Sequence, residues 1–160
     1  LKTIDKPKKS DPLSQEEVAK LLDSLTIYEK ELEKAEERVT MRGKSLAEAQ
    51  KEQTAWPVFY GMKRAEIYVI FKRLDSRVAA IRGRLHRFYK EHDSLGSSER
   101  QIDKYVDANE EFLAANELLL HVEEIYKKYN EVIENGFDKR GFALRDFTQA
   151  RVHEIHNEIL

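Results

Sequence analysis

Cysteine is absent from the 160-residue chain, which excludes disulfide frameworks, thiolate zinc sites, thiol catalysis and redox switching together. Six glycines and three prolines leave few places to break a helix, so long helices are expected. No apolar run approaches the roughly 20 residues that span a bilayer. The opening, Leu1 to Pro12, is basic but lacks the apolar stretch of a signal peptide, so a soluble protein of a reducing cytosol is expected. No β alternation is visible. What is abundant is charge of both signs: 28 Lys and Arg against 30 Asp and Glu, net -2, with 36% of residues charged and 41% apolar. That balance is too apolar for disorder and too charged for a thick globular core, at a length that suits one domain.

Residues 1–13, with Pro7 and Pro12 among lysines, read as a flexible basic tail. Ser14 and Glu17 have capping-box spacing and start a helix. From there Val18, Leu21, Leu25, Tyr28, Leu32, Ala35 and Val39 form a thin seam that continues weakly through Leu46 and Ala49, predicting one long helix over 14–55 that Pro57 kinks or ends. So narrow a stripe needs a partner helix. A second seam, Ile67, Phe71, Leu74, Val78, Ile81, Leu85 and Phe88, is stronger. After Leu95-Gly96-Ser97-Ser98, a third runs Phe112, Ala115, Leu119, Val122, Tyr126, Tyr129 and Ile133 to a stop at Asn135-Gly136, where Gly136 suits a left-handed cap. Beyond a basic turn at 138–141, a last helix carries Leu144, Phe147, Ala150, Ile155 and Ile159. The fold class expected is all-α: long amphipathic helices in a bundle or coiled-coil-like subunit.

The near-neutral total hides a segregation of charge. Residues 1–55 hold 11 basic and 12 acidic side chains, 56–92 hold 9 and 3, 93–135 hold 4 and 11, and the rest hold 4 of each. A basic helix is therefore followed by an acidic one. On a helical wheel Arg73, Arg77, Arg84 and Arg87 fall within about 80° on one flank, with Arg82, Lys63 and Arg64 nearby in sequence. Arginine suits bidentate phosphate contact, and Trp56, Tyr60, Tyr68 and Tyr89 offer rings for unpaired bases. The blander reading pairs the Arg flank with the acidic helix and assigns the aromatics to packing. The two stand near even on pattern alone.

Catalytic patterns fail. His153 and His156 stand three apart without the His-Glu-x-x-His spacing of a zinc protease, and read as surface histidines. Gly136 and Gly141 have the gap of a phosphate loop, but Phe142-Ala143 stands where Lys and Ser/Thr should follow. No two carboxylates are singled out to converge in a dry cleft. No catalysis, metal or cofactor is expected.

Two ordered segments resemble the UvsY family of phage recombination mediators. Val78-Ala79-Ala80-Ile81-Arg82-Gly83-Arg84-Leu85, followed by Phe88-Tyr89, resembles the family's aliphatic-basic-small-Arg-Leu signature and aromatic pair. Lys139-Arg140-Gly141-Phe142-Ala143-Leu144-Arg145-Asp146-Phe147 resembles its basic-Gly-Phe-Ala turn into the last helix. The likeness covers roughly Trp56 to His153. The segment before Trp56 lies outside it, and His86 and Arg87 intervene before the aromatic pair.

The resemblance implies a non-enzymatic protein in the cytoplasm of an infected bacterial host. Such a protein binds single-stranded DNA, forms a hexameric or heptameric ring, and helps a RecA-like recombinase displace single-strand-binding protein. Arg82 and Arg84 match the DNA-binding motif, and the helix after Gly141, with Phe142, Leu144, Phe147 and Ile155, matches the self-association region. The rival expectation is a helical adaptor forming a coiled-coil homo-oligomer without DNA binding. A membrane-surface helix is the poorer third reading.

Overall fold

A computed structural model describes residues 13–92 and 96–159, with side chains described to residue 156. The expected tail therefore lies, apart from Leu13, outside the described residues. The described chain is all-α: α1 Gln15–Glu33, α2 Ala35–Val39, α3 Leu46–His92, α4 Glu99–Asp107, α5 Glu110–Glu131, a π-helical segment Val132–Asp138, and α6 Lys139–Ile159. No strand occurs among the described residues.

Three helices begin with the same reciprocal cap. The Glu17 N–H donates to Ser14 Oγ (3.1 Å) while the Ser14 N–H donates to Glu17 Oε2 (2.9 Å). Ser45 with Glu48 opens α3 in the same way, and Ser98 with Gln101 opens α4. Each pair satisfies backbone donors that no carbonyl inside the helix can reach.

The single helix expected over 14–55 is corrected. α1 ends at Glu33, α2 is one short helix, and residues 40–45 form a turn in which Gly43 takes a left-handed φ of +79°. The boundary expected near Trp56 also fails, because α3 continues through Pro57. Proline removes one helical hydrogen bond. Packing on both sides holds the helix together: Gln53 Nε2 donates to the Phe137 carbonyl (2.8 Å), and Tyr60 is fully buried. The stop expected at Asn135-Gly136 is absent too. The chain instead passes through the π segment into α6, and Gly136 keeps a negative φ.

The chain divides into two compact units. One takes in residues up to Ser24 together with Val69–Glu123, and the other takes in Leu25–Tyr68 and Glu124 onward. The first buries Leu74, Val78, Ile81 and Leu85 of α3, Ile102 and Val106 of α4, and Phe112, Ala115, Leu118 and Val122 of α5. The second buries Leu25, Ala35, Ala49, Tyr60, Ile67, Ile125, Tyr129, Phe137 and Leu144. Its centre is aromatic: Tyr60 lies 5.2 Å from Phe137 and 5.8 Å from Tyr129 by ring centroids. The Tyr60 hydroxyl donates to the Glu31 carbonyl (3.0 Å), and the Tyr129 hydroxyl donates to the Tyr28 carbonyl (3.0 Å). Buried phenols are tolerated because each finds an acceptor.

Candidate nucleic-acid interface

The basic flank of α3, Arg73, Arg77, Arg84 and Arg87, lies in the first unit, along one side of the Leu74, Val78, Ile81 and Leu85 seam. Arg73 and Arg87 are exposed. The Arg87 Nε–H donates only to the Gly83 carbonyl of its own helix (3.3 Å), leaving the rest of its guanidinium toward water. Between them the exposed positions Ser76, Ala80 and Gly83 carry little bulk, and a Cβ at Gly83 would meet nothing within 4 Å. An arginine thus stands at each end of a shallow strip. Fourteen residues separate them, about 21 Å of helix.

The other arginines of this stretch of α3, two on the flank and Arg82 across the seam from it, are engaged. Arg77 faces Glu17 at 3.4 Å. The Ser14 backbone N–H chiefly, with Arg77 further down, holds the Glu17 carboxyl below its ordinary range. Arg82 reaches Asp107 at 3.2 Å and Asp103 at 3.9 Å, and also lies over the Phe112 ring at 5.7 Å. Arg84 donates to Glu111. His86 and Lys90 both meet Glu99, the former at 3.0 Å. The Arg82 side chain keeps 50% exposure and Asp107 keeps 53%. Pairs so wet are worth only about 0–1 kcal/mol. The basic and acidic helices therefore do pair within the subunit at Arg82 and Arg84, while Arg73 and Arg87 stay outside that pairing.

Lys63 and Arg64 belong to the second unit and do not extend this flank. Lys63 pairs with Glu66 at 2.9 Å and lies over the Tyr28 ring at 5.5 Å, while Arg64 reaches Asn130 at 3.4 Å. Burial first, and then the Glu66 carboxylate, push the Tyr28 phenol up to about 12.

The aromatics separate in the same way. Tyr60 is core and Trp56 lies beneath the Arg38 guanidinium at 4.2 Å, while Tyr68 packs against Tyr126 at 5.6 Å and keeps 44% exposure. In the first unit Tyr89 accepts a hydrogen bond from Asn109 (3.0 Å) and packs on Tyr105. The exposed aromatics there are Tyr105 and Phe88, the latter stacked on His92 at 4.4 Å.

The candidate self-association residues of α6 lie in the second unit. Phe142 is 60% exposed, Phe147 59% and Ile155 48%, but Leu144 is 5% exposed and belongs to the subunit core. That corrects one of the four. Phe147, Leu144 and Ala150 form one wall of an open groove of about 740 Å³, whose other wall is Met41, Leu46 and Ala49. Both histidines of the last helix, His153 and His156, are exposed.

The sequence reading missed Arg140. It is 3% exposed and donates to the Arg38 carbonyl (2.9 Å), the Ala49 carbonyl (3.2 Å) and Glu52 Oε2 (2.9 Å). The only signal was its place beside Gly141 in the segment quoted above. No family model, curated protein or solved structure matches this chain. Among the described residues no helix is long and apolar enough to cross a membrane.

Proposed function

We propose that this protein is a recombination mediator. It binds single-stranded DNA, assembles into a ring of identical subunits, and helps a RecA-like recombinase onto DNA coated by single-strand-binding protein. The observation that carries this reading is the outer flank of α3, where exposed Arg73 and Arg87 bracket a shallow strip, with the half-exposed Arg82 on the side of the helix that faces α4. The resemblance of Val78–Leu85 and Lys139–Phe147 to mediator segments supports it independently.

The physics needs assembly. One subunit offers few phosphate contacts, and such binding falls steeply with salt. Copies arranged in a ring hold their arginines at high effective concentration, so weak contacts add into a tight complex. The exposed Phe142, Phe147 and Ile155, with the groove beside them, supply apolar surface for the neighbouring copy. Strand held along such a surface is extended and open to the recombinase while its coat is loosened. The net charge of -2 does not oppose this, because at physiological salt the field that matters acts within about 8 Å.

A specific observation favours a second reading. The pairing of Arg82 and Arg84 with Asp103, Asp107 and Glu111 is what a helical adaptor without DNA binding would show. The two readings separate in a loading assay. DNA-dependent ATP hydrolysis by a phage RecA-like recombinase is measured on single strands saturated with single-strand-binding protein. A mediator restores hydrolysis, and Arg73→Ala with Arg87→Ala weakens the restoration. An adaptor leaves hydrolysis blocked.

A further inference from the structure

We infer that the carboxylates of α4 and of the start of α5 compete with nucleic-acid phosphate for Arg82 and Arg84, which stand on either side of the α3 seam, so that both arginines are neutralised until DNA displaces the carboxylates. This rests on the proposed function and adds a regulation of the same site.

The acids form a ladder. Glu99, Asp103 and Asp107 recur every four residues along α4 and so keep near one edge, one negative charge for about each 6 Å of rise, and Glu111 follows in the first turn of α5. Opposite them on α3, Arg82, His86 and Lys90 also recur every four, in the reverse direction. Glu99 meets Lys90 and His86, Asp103 and Asp107 meet Arg82, and Glu111 meets Arg84. The α4 carboxylates thus occupy the Arg82, His86 and Lys90 side of α3, and Glu111 occupies Arg84 on the other side of the seam, where phosphates would otherwise lie.

The ladder adds little to folding. Its members on Arg82 are about half exposed, and ion pairs in water at that exposure are weak. The apolar side of α4 does the holding, through buried Ile102 and Val106. The α4–α5 junction is pinned separately, by Asn109 donating to the Tyr89 hydroxyl and accepting from the Glu111 N–H. Exchange of carboxylate for phosphate therefore needs only side-chain rotation at a fixed backbone. Arg73 and Arg87, outside the ladder, give the strand its first contacts.

The experiment uses full-length protein and a fluorescent single-stranded oligonucleotide, with anisotropy read across a salt series. Asp103→Asn with Asp107→Asn should bind roughly three- to ten-fold more tightly than wild type at moderate salt. Its salt slope should steepen by about one unit for each freed contact. Glu36→Gln with Glu37→Gln, exposed on α2, makes the same change in net charge and should match wild type. A ladder variant identical to wild type overturns the inference, as does an equal gain in the α2 control, which would reduce the effect to net charge. Absence of binding by all three proteins removes the proposed function itself, an outcome distinct from either.

Discussion

Arg140 sits almost out of water with three acceptors around its guanidinium, two of them backbone carbonyls and the third the Glu52 carboxylate. It joins the end of α2, the start of α3 and α6 in the second unit, a structural task for an arginine in a segment that resembles a mediator motif. Arg140→Met should cost about 3 kcal/mol in denaturant unfolding, because Glu52 keeps Lys44 at 2.7 Å but the two carbonyls lose their donor. Lys44 first, and then Arg140, hold the Glu52 carboxyl below the ordinary 4.5. Lys34 and Arg38 do the same for Glu31. Both groups release protons more readily folded than unfolded, so their contribution is present above about pH 4.5 and is lost as pH falls through the lowered values. Thermal midpoints should decline on acidification through that range, and Glu52→Gln should decline less. On the α3 flank, Arg73→Ala with Arg87→Ala should weaken single-strand binding and flatten its salt slope by about one unit per lost phosphate contact, at unchanged thermal stability. Unchanged binding would remove both residues from the site. The arginine-rich helix was legible from charge counts. Which arginines are paired, exposed or buried was not, because that depends on Asp103, Asp107, Glu111 and Glu52, distant in sequence.

At the scale of elements, the seam of α3 was readable because large apolar residues recur with helical spacing. Ile67, Leu74, Val78, Ile81 and Leu85 are all buried. In α5 the expected Phe112, Ala115, Val122 and Tyr129 are buried, but Leu118 and Ile125 fill the places expected of Leu119 and Tyr126, since adjacent apolar residues leave the register open. The breaks were harder. The turn at 40–45 carries Gly43 and the Ser45–Glu48 cap, but Leu46 and Ala49 prolong the earlier seam and mask it. Pro57 and Gly136 misled in the opposite direction, since their local preference for ending a helix yields to packing. Gly136 serves close approach: a Cβ there would lie 2.8 Å from Val39 Cγ2 of α2. Alanine gains helix propensity of about 0.5–1 kcal/mol, but the overlap costs about 1–3 kcal/mol. Gly136→Ala should therefore lower the thermal midpoint, and adding Val39→Ala should recover much of the loss. Equal midpoints for wild type and the single variant would show that Val39 moves aside freely.

Across the whole molecule, the proposed function depends on copies acting together, a property that seams and charge counts leave open. The all-α class follows from composition and periodicity, whereas the surface offered to a neighbour emerges only once Leu144 is seen to turn inward and Phe142 and Phe147 outward. Phe142→Ser with Phe147→Ser should lower the mass in sedimentation toward that of a single 18.8 kDa chain while helicity is retained. An undiminished oligomer would place the interface elsewhere. The central claim is strand binding by an assembled protein. Its most direct measurement is anisotropy with a single-stranded oligonucleotide and with its duplex, across a salt series, on protein whose oligomeric mass is established by sedimentation. The expected result is an oligomer that prefers the single strand and loses affinity steeply with salt. A protein that binds neither form even at low salt would contradict it and leave the α3 arginines as partners of the acidic helix alone.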